Sequence, residues 1–323
     1  MSHCVTRDGT HPKILTHVHV YYQDMWPELA QKLQSVQGCE LDLQITVTQE
    51  DETFKSTILT QFPRASVSIV ENRGFDIRPF VQLIQRIHLD SYDYVIKIHT
   101  KRDTAKNKIG KRILLGSDWR NASLSFLDSP EIFAKNISYF ENNPQCGMIA
   151  SHLLTLDIAT NCTSINQERL GQLLNDYQQT PVPHSCFVAG TMFMARASAM
   201  KPLQALDPDA FEEYVQRDGL FAHTVERFMG HIIYAQGMSI QDPNKNNPNI
   251  WAKFLLASWK NKFPSFIYSA AITHKDRLSI KIIKIPLPYC LSELLFPSYK
   301  KRLLKEKQKV MQYEHYTPPS DKS

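Results

Sequence analysis

A chain of 323 residues with 42 % hydrophobic content is long enough for one large domain, or for one domain with an extension. No apolar run reaches the roughly 20 residues of a membrane-spanning helix, the first ten residues lack the apolar centre of a secretory leader, and the six cysteines are scattered without a CxxC pair. Spanning, disulfide-scaffold and zinc-ribbon classes are thereby set aside, and reduced thiols in a cytosolic protein are expected. The net charge of +5 is uneven: residues 251–323 hold 14 Lys and Arg against 5 Asp and Glu, and residues 1–250 hold 23 against 27.

Residues 1–12 are expected to be disordered. From there strand and helix patterns alternate. KILTHVHVYY (13–22) is a β-branched run and predicts a strand, and MWPELAQKLQSV (25–36) places Trp26, Leu29, Leu33 and Val36 at helical spacing. Residues 41–49 predict a strand, 50–61 a helix, 65–72 a strand, 76–87 a helix and 92–99 a strand. Strands separated by helices of about a dozen residues imply right-handed βαβ units, a largely parallel Rossmann-type sheet and helices on both faces. After a Lys-rich loop, SPEIFAKNISYFENNP (129–144) predicts a helix with Ser129 as cap and Pro130 in its first turn. CGMIAS (146–151) is a buried strand. Residues 184–200 predict a strand, a kink at Gly190, a second strand and a helix start. Residues 217–233 predict a helix capped by Asp218. The Pro/Asn-rich stretch near 240–250 borders the domain, so the expected organisation is a domain over 13–240 and a basic, aromatic, helical extension over 241–323.

Four constellations carry candidate chemistry. His17 and His19 lie two apart on a strand and share one face, the spacing of a metal pair in barrel hydrolases, or simply a polar layer at the sheet end. In VENRGFDIRPF (70–80), Asn72 and Gly74 turn the chain after a strand and Asp76 opens a helix. Gly74 would let the backbone approach a ligand, and Arg73 and Arg78 add charge beside the free N–H groups of the helix start; Asp76 could equally be a plain N-cap. In YDYVIKIHTKRD (92–103) the strand ends in His99, Lys101 and Arg102, cationic donors where a diphosphate would lie. Gly190 sits between two apolar strands as though a ligand passes over it. On the later helix His223, Glu226 and Arg227 share one face, and a carboxylate there suits a general base. The basic aromatic extension fits an anionic membrane surface.

In their order along the chain, HVHVYYQDMWPELAQKL, VENRGFDIRPF, YDYVIKIHTKRD, LLGSDWR, CGMIAS, FVAGTMFMARASAM and DGLFAHTVERFMG resemble the rhamnan synthesis protein F family. The resemblance implies a GT-A-like fold and a bacterial glycosyltransferase that builds rhamnose-containing polysaccharide or lipopolysaccharide from a nucleotide sugar. ENRGFDIR is similar to a motif of such enzymes, but His99-Thr100-Lys101 stands where Asp-x-Asp would bind a metal. On this footing Tyr22, Asn72, Arg73, Gly74 and Asp76 are expected at the nucleotide, and His99 and Lys101 at the diphosphate in place of a metal. Gly190, Thr191 and Asp218 are expected to face the acceptor, His223 is expected among the substrate-binding residues, and Glu226 or Asp218 is expected as base. No cofactor is required on this reading. The partners are a nucleotide-sugar donor, a glycan or lipid-linked acceptor and the inner membrane surface, and not nucleic acid. The alternatives are a non-catalytic sugar-binding subunit of an assembly complex, and a metal hydrolase built on His17, His19 and Asp218.

Overall fold

The computed structural model describes residues 11–102, 107–109, 112–114, 116–213 and 219–246. The expected disordered start and basic extension lie mostly outside them. The chain divides into two units. One comprises residues 1–102 and 119–246. The other comprises 103–118 and 247–323, and its described part is an antiparallel pair, β5 (Asn107–Ile109) and β6 (Arg112–Leu114).

The first unit begins β1 (Lys13–Val20), α1 (Trp26–Leu33), β2 (Glu40–Val47), α2 (Glu52–Gln61), β3 (Ser66–Ile69), α3 (Ile77–Arg86) and β4 (Tyr94–His99). The expected elements are all present, with ends shifted by a few residues. α4 (Gly116–Ser123) leads to α5 (Pro130–Asn142), whose first turn is capped as expected: Ser129 Oγ accepts the Ile132 N–H at 3.3 Å. Next come β7 (Cys146–Ile149), β8 (Thr155–Asp157), α6 (Ser164–Asp176), β9 (Cys186–Val188), β10 (Phe193–Arg196), α7 (Phe221–Ala235) and β11 (Ser239–Gln241). α7 begins later than its sequence pattern suggests. Leu220 holds the N-cap position, and Asp218, the expected cap, lies outside the described residues.

Seven strands form one mixed sheet in the order β11-β7-β10-β4-β1-β2-β3. β10 is antiparallel to both its neighbours, and every other pairing is parallel. The strands on either side of Gly190 were expected as one kinked pair, but they belong to different sheets: β9 pairs with β8 in a separate ribbon.

Pairing register sorts the side chains by face. Ile14 and Val18, Ile45 and Val47, and Tyr94, Ile96 and Ile98 join one apolar core with Trp26, Leu29 and Leu33 of α1, Ile58 of α2 and Phe133, Ile137 and Phe140 of α5. Each fully buried side chain of this size contributes about 1.5–3 kcal/mol. The opposite face carries Leu15, His17 and His19 of β1 beside Val95, Lys97 and His99 of β4. There Phe80 of α3 meets the His17 ring at 5.6 Å and Phe193 of β10 at 6.1 Å between ring centres. Helices thus cover both faces, and the second face is polar toward its carboxyl edge. Among the described residues no helix is long and apolar enough to cross a membrane.

Candidate active site at the carboxyl edge of the sheet

The strand order reverses between β1 and β4. β1 leads outward through β2 to β3, and the chain then returns to lay β4 on the other side of β1. In open α/β sheets such a reversal leaves a crevice beyond the strand ends. Thr100 ties its two lips together. Its N–H donates to the His19 carbonyl at 3.0 Å, and its hydroxyl accepts the N–H groups of Tyr21 and Tyr22, each at 3.0 Å. The Arg102 guanidinium lies 4.4 Å from the centre of the Tyr22 ring and pairs with Asp24 at 2.8 Å. The Lys101 ammonium sits 5.1 Å from the centre of a Trp119 ring.

Beneath this edge runs a buried polar layer. His17 Nε2 and His19 Nδ1 both lie 3.0 Å from Thr46 Oγ1 on β2, so the two imidazoles share one hydroxyl. Lys97 has no exposed surface. Its ammonium is paired with Asp76 Oδ2, and it donates to the Thr191 hydroxyl at 2.8 Å and the Thr191 carbonyl at 3.2 Å. The Thr191 hydroxyl in turn donates to Asp76 Oδ2 at 2.6 Å. His99 Nδ1 stands 3.3 Å from the same oxygen, out of hydrogen-bond alignment.

Charge in this layer follows from burial and pairing. Burial drives the His17 imidazole well below its usual range, with Lys97 adding to the effect. Burial also lowers His19 to about 4 and His99 to about 3, opposed in both by the Asp76 carboxylate. Burial by itself raises the Asp76 carboxyl, but nearby His99 and Lys97 and hydrogen bonds from Lys97 and Thr191 outweigh it and hold it well below the carboxylate range. Burial lowers the Lys97 ammonium, and Asp76 opposes this. At neutral pH the layer is therefore an Asp76–Lys97 ion pair among neutral imidazoles. His99, expected as a cation, is neutral and offers hydrogen bonds instead.

Several expected roles change in detail. Asp76 stands at the N-cap of α3 but makes no capping bond, because its carboxylate is turned to Lys97 and Thr191. Arg73 does not reach toward a ligand: its Nε donates to the Phe211 carbonyl at 2.6 Å and its Nη2 to the Asp209 carbonyl at 2.8 Å. Arg78 donates to the Pro208 carbonyl at 2.9 Å, so the two guanidiniums clamp one surface segment. At Gly74 protein comes close to the backbone: a Cβ there would lie 2.6 Å from Phe211 Cδ1. At Gly190 a Cβ would lie 2.9 Å from Trp119 Nε1, so an indole covers the position where a ligand was expected. Asn72 is exposed.

Glu226 has both oxygens engaged. Oε1 accepts the Gly190 N–H at 2.8 Å and Oε2 accepts from Arg227 Nη1 at 2.9 Å. Arg227 also donates to the His223 carbonyl at 2.8 Å, and the His223 ring lies 5.8 Å from that of Phe75. The shared face of His223, Glu226 and Arg227 is thus real, but it is a part-buried network and not a surface ion-pair cluster. The structure brings together Asp76, His99, Thr191, Gly190 and Glu226 through direct contacts, with Lys101 reaching Gly190 through Trp119. Lys97, Thr100 and Trp119 were missed by the sequence analysis. A lysine inside an otherwise apolar strand was the available signal for Lys97. Among the described residues no group of three or more His, Cys, Asp or Glu side chains is placed to hold a metal ion.

The family model described as Rhamnan synthesis protein F matches residues 2–238. Two relatives, each an uncharacterized protein WxcX from Xanthomonas campestris pv. campestris (strains ATCC 33913 and B100), are 30 % identical over 235 residues. The match covers 70 % of this chain and 32 % of theirs, so the chain spans about a third of the length of these relatives. Among solved structures, the mannosyltransferase PcManGT from Pyrobaculum calidifontis, in complex with GDP-Man and Mn2+, aligns at a TM-score of 0.38 and 11 % identity over 78 % of this chain and 64 % of that one. S. aureus TarS 1–349 aligns at 0.34 and 11 % over 82 % and 76 %.

Proposed function

Since the chain belongs to the rhamnan synthesis protein F family, we propose that it is a glycosyltransferase acting on a nucleotide-diphosphate sugar. Its product would be a growing cell-surface polysaccharide or lipopolysaccharide, with rhamnose from a dTDP donor as the sugar the family resemblance implies. The observation that carries this reading is the gathering of polar and aromatic groups at the reversal between β1 and β4: the Tyr22–Arg102 stack, the Lys101 ammonium, and Glu226 at the Gly190 turn.

Tyr22 and Asn72 line the nucleotide side. Lys101 faces the diphosphate, and His99 offers it a neutral hydrogen bond. The acceptor hydroxyl oxygen attacks the anomeric carbon, the bond from that carbon to the diphosphate oxygen breaks, and the hydroxyl proton passes to Glu226. The negative charge left on the nucleoside diphosphate is met by Lys101. Asp218 is the second candidate base. On this reading Lys101 takes the place of a divalent ion, since His99-Thr100-Lys101 offers such an ion no paired carboxylates. The basic aromatic extension holds the protein on the inner leaflet, where a lipid-linked acceptor would be presented.

Melting the protein against dTDP-, UDP-, GDP- and CMP-sugars tests the donor class, because a ligand at 100 times its Kd stabilises by about 2.7 kcal/mol. One donor class should raise the melting temperature and turn over equally well in EDTA. Loss of turnover in chelator, restored by Mn2+, removes the metal-free mechanism, and silence across the whole panel removes the donor. A second reading, binding without transfer, is favoured by the engagement of both Glu226 oxygens. It predicts the melting shift with no release of nucleoside diphosphate.

A further inference from the structure

We propose that Lys97 is a positioning residue that fixes the Glu226 carboxylate through the turn at Gly190 and Thr191. This rests on the glycosyltransferase reading for its consequence but not for its geometry.

The turn is strained. Gly190 has φ +85° and Thr191 has φ +49°, the left-handed region, which a β-branched residue rarely adopts. A second left-handed pair, Gly74 (φ +65°) and Phe75 (φ +54°), immediately precedes Asp76. Such conformations persist only where their surroundings over-determine them, and they concentrate at functional sites. Here the surroundings can be named. Lys97, from the middle of the sheet, grips the Thr191 hydroxyl and carbonyl. Asp76, at the end of the other left-handed pair, accepts a hydrogen bond from the Thr191 hydroxyl and pairs with the Lys97 ammonium. The Thr191 N–H closes the turn on the Val188 carbonyl at 3.0 Å, and the Ala189 N–H is held by the Leu154 carbonyl at 2.8 Å. The remaining turn amide, that of Gly190, reaches Glu226. A continuous line of bonds therefore runs from a buried ammonium on β4, through Thr191 and Gly190, to a carboxylate on α7.

Stability alone gives little reason for this arrangement. A buried ion pair returns little beyond its desolvation cost, and an apolar pair of similar volume is often as stable or more so. Lys97 lies beside Phe80, its ammonium 5.6 Å from the ring centre, where an apolar chain would pack well. What the ion pair adds is direction: it fixes where the Thr191 main chain sits, and hence where the Gly190 N–H points.

The test uses the full chain and four variants: Thr191→Ser, Thr191→Ala, Lys97→Met, and the charge-balanced Lys97→Met/Asp76→Asn. Amide hydrogen exchange over residues 188–192 reads the turn directly and needs no substrate. Thr191→Ala and the double variant should exchange there at least about tenfold faster than wild type, while Thr191→Ser stays within about twofold. The double variant should keep a melting temperature near wild type, which Lys97→Met alone, with its stranded carboxylate, will not. With the donor class found above, Thr191→Ala should lose kcat at least about tenfold with its donor-induced melting shift unchanged, the double variant should lose kcat to a similar extent, and Thr191→Ser should restore most of the rate. Unchanged exchange at 188–192 in both Thr191→Ala and the double variant overturns the latch. Faster exchange with kcat untouched overturns its link to Glu226. If wild type neither binds nor turns over any donor, the glycosyltransferase reading fails, and the exchange data still judge the latch.

Discussion

Gly74 illustrates how a single residue is fixed by what surrounds it. A methyl group there would meet Phe211 Cδ1 at 2.6 Å and Arg78 Cβ at 2.7 Å, on a backbone at φ +65°. The left-handed backbone costs about 1–2 kcal/mol for a residue with a Cβ, and the crowding adds about 1–3 kcal/mol. Gly74→Ala should therefore lower the urea midpoint of unfolding by the equivalent of about 2–5 kcal/mol, and a midpoint within error of wild type would show that Phe211 moves aside freely. The glycine's importance was legible in the sequence, since only 11 glycines occur in 323 residues. Its partner was not, because Phe211 lies more than a hundred residues downstream and pattern alone does not pair them. Asp76 was singled out for a local reason. A helix-opening aspartate suggests a cap, and only the tertiary position of Lys97 turns its carboxylate away from the helix.

At the scale of the element, β1 and β4 show why alternation misleads in the middle of a sheet. Both strands are buried along nearly their whole length, so a period of two separates two covered faces and not core from solvent. The first-half strand order and the helices between were readable from spacing, because each βαβ unit announces itself with two periodicities. Of the β8–α6–β9 segment only β9 was anticipated; α6 was not, although its Asn166, Leu170, Leu173 and Leu174 are buried at helical spacing. β8 has three residues, too few to show a period.

The buried histidines of β1 and β4 also carry a prediction. His19 and His99 have folded-state pKa values of about 4 and about 3, below the ordinary 6.5, and His17 is lowered as well. Below pH 6.5 the unfolded chain binds protons that the folded chain refuses, so acidification favours unfolding. Stability should be full above about pH 6.5 and fall as pH drops toward 4, by up to about 1.4 kcal/mol per pH unit for each histidine. Asp76, whose carboxyl is held low, extends the loss further into acid. Urea titrations at several pH values measure the slope, and His19→Asn should reduce it by about one proton. A flat profile between pH 6.5 and 4.5 would mean that these imidazoles titrate in the fold.

On the scale of the whole molecule, the charge map and the fold divide the chain differently. The acidic balance belongs to residues 1–250 and the basic excess to the last quarter. Deleting residues 247–323 should leave donor-induced melting shifts intact while abolishing sedimentation with vesicles rich in anionic lipid, an attraction worth about 1 kcal/mol per basic residue near the surface. Equal sedimentation of both forms would detach the tail from the membrane. The family was legible only through the ordered run of its segments, since no single stretch of charge or spacing named it.

The reversed direction of β10 has a further consequence. β7 ends at the carboxyl edge and β10 starts there, so the stretch from 150 to 192 departs from one rim and comes back to it. It forms an excursion with its own ribbon and helix, packed against α7 and anchored at neighbouring points. Evolution can lengthen, shorten or exchange that excursion without threading anything new through the sheet, and one scaffold is then free to acquire different tastes in what it is offered.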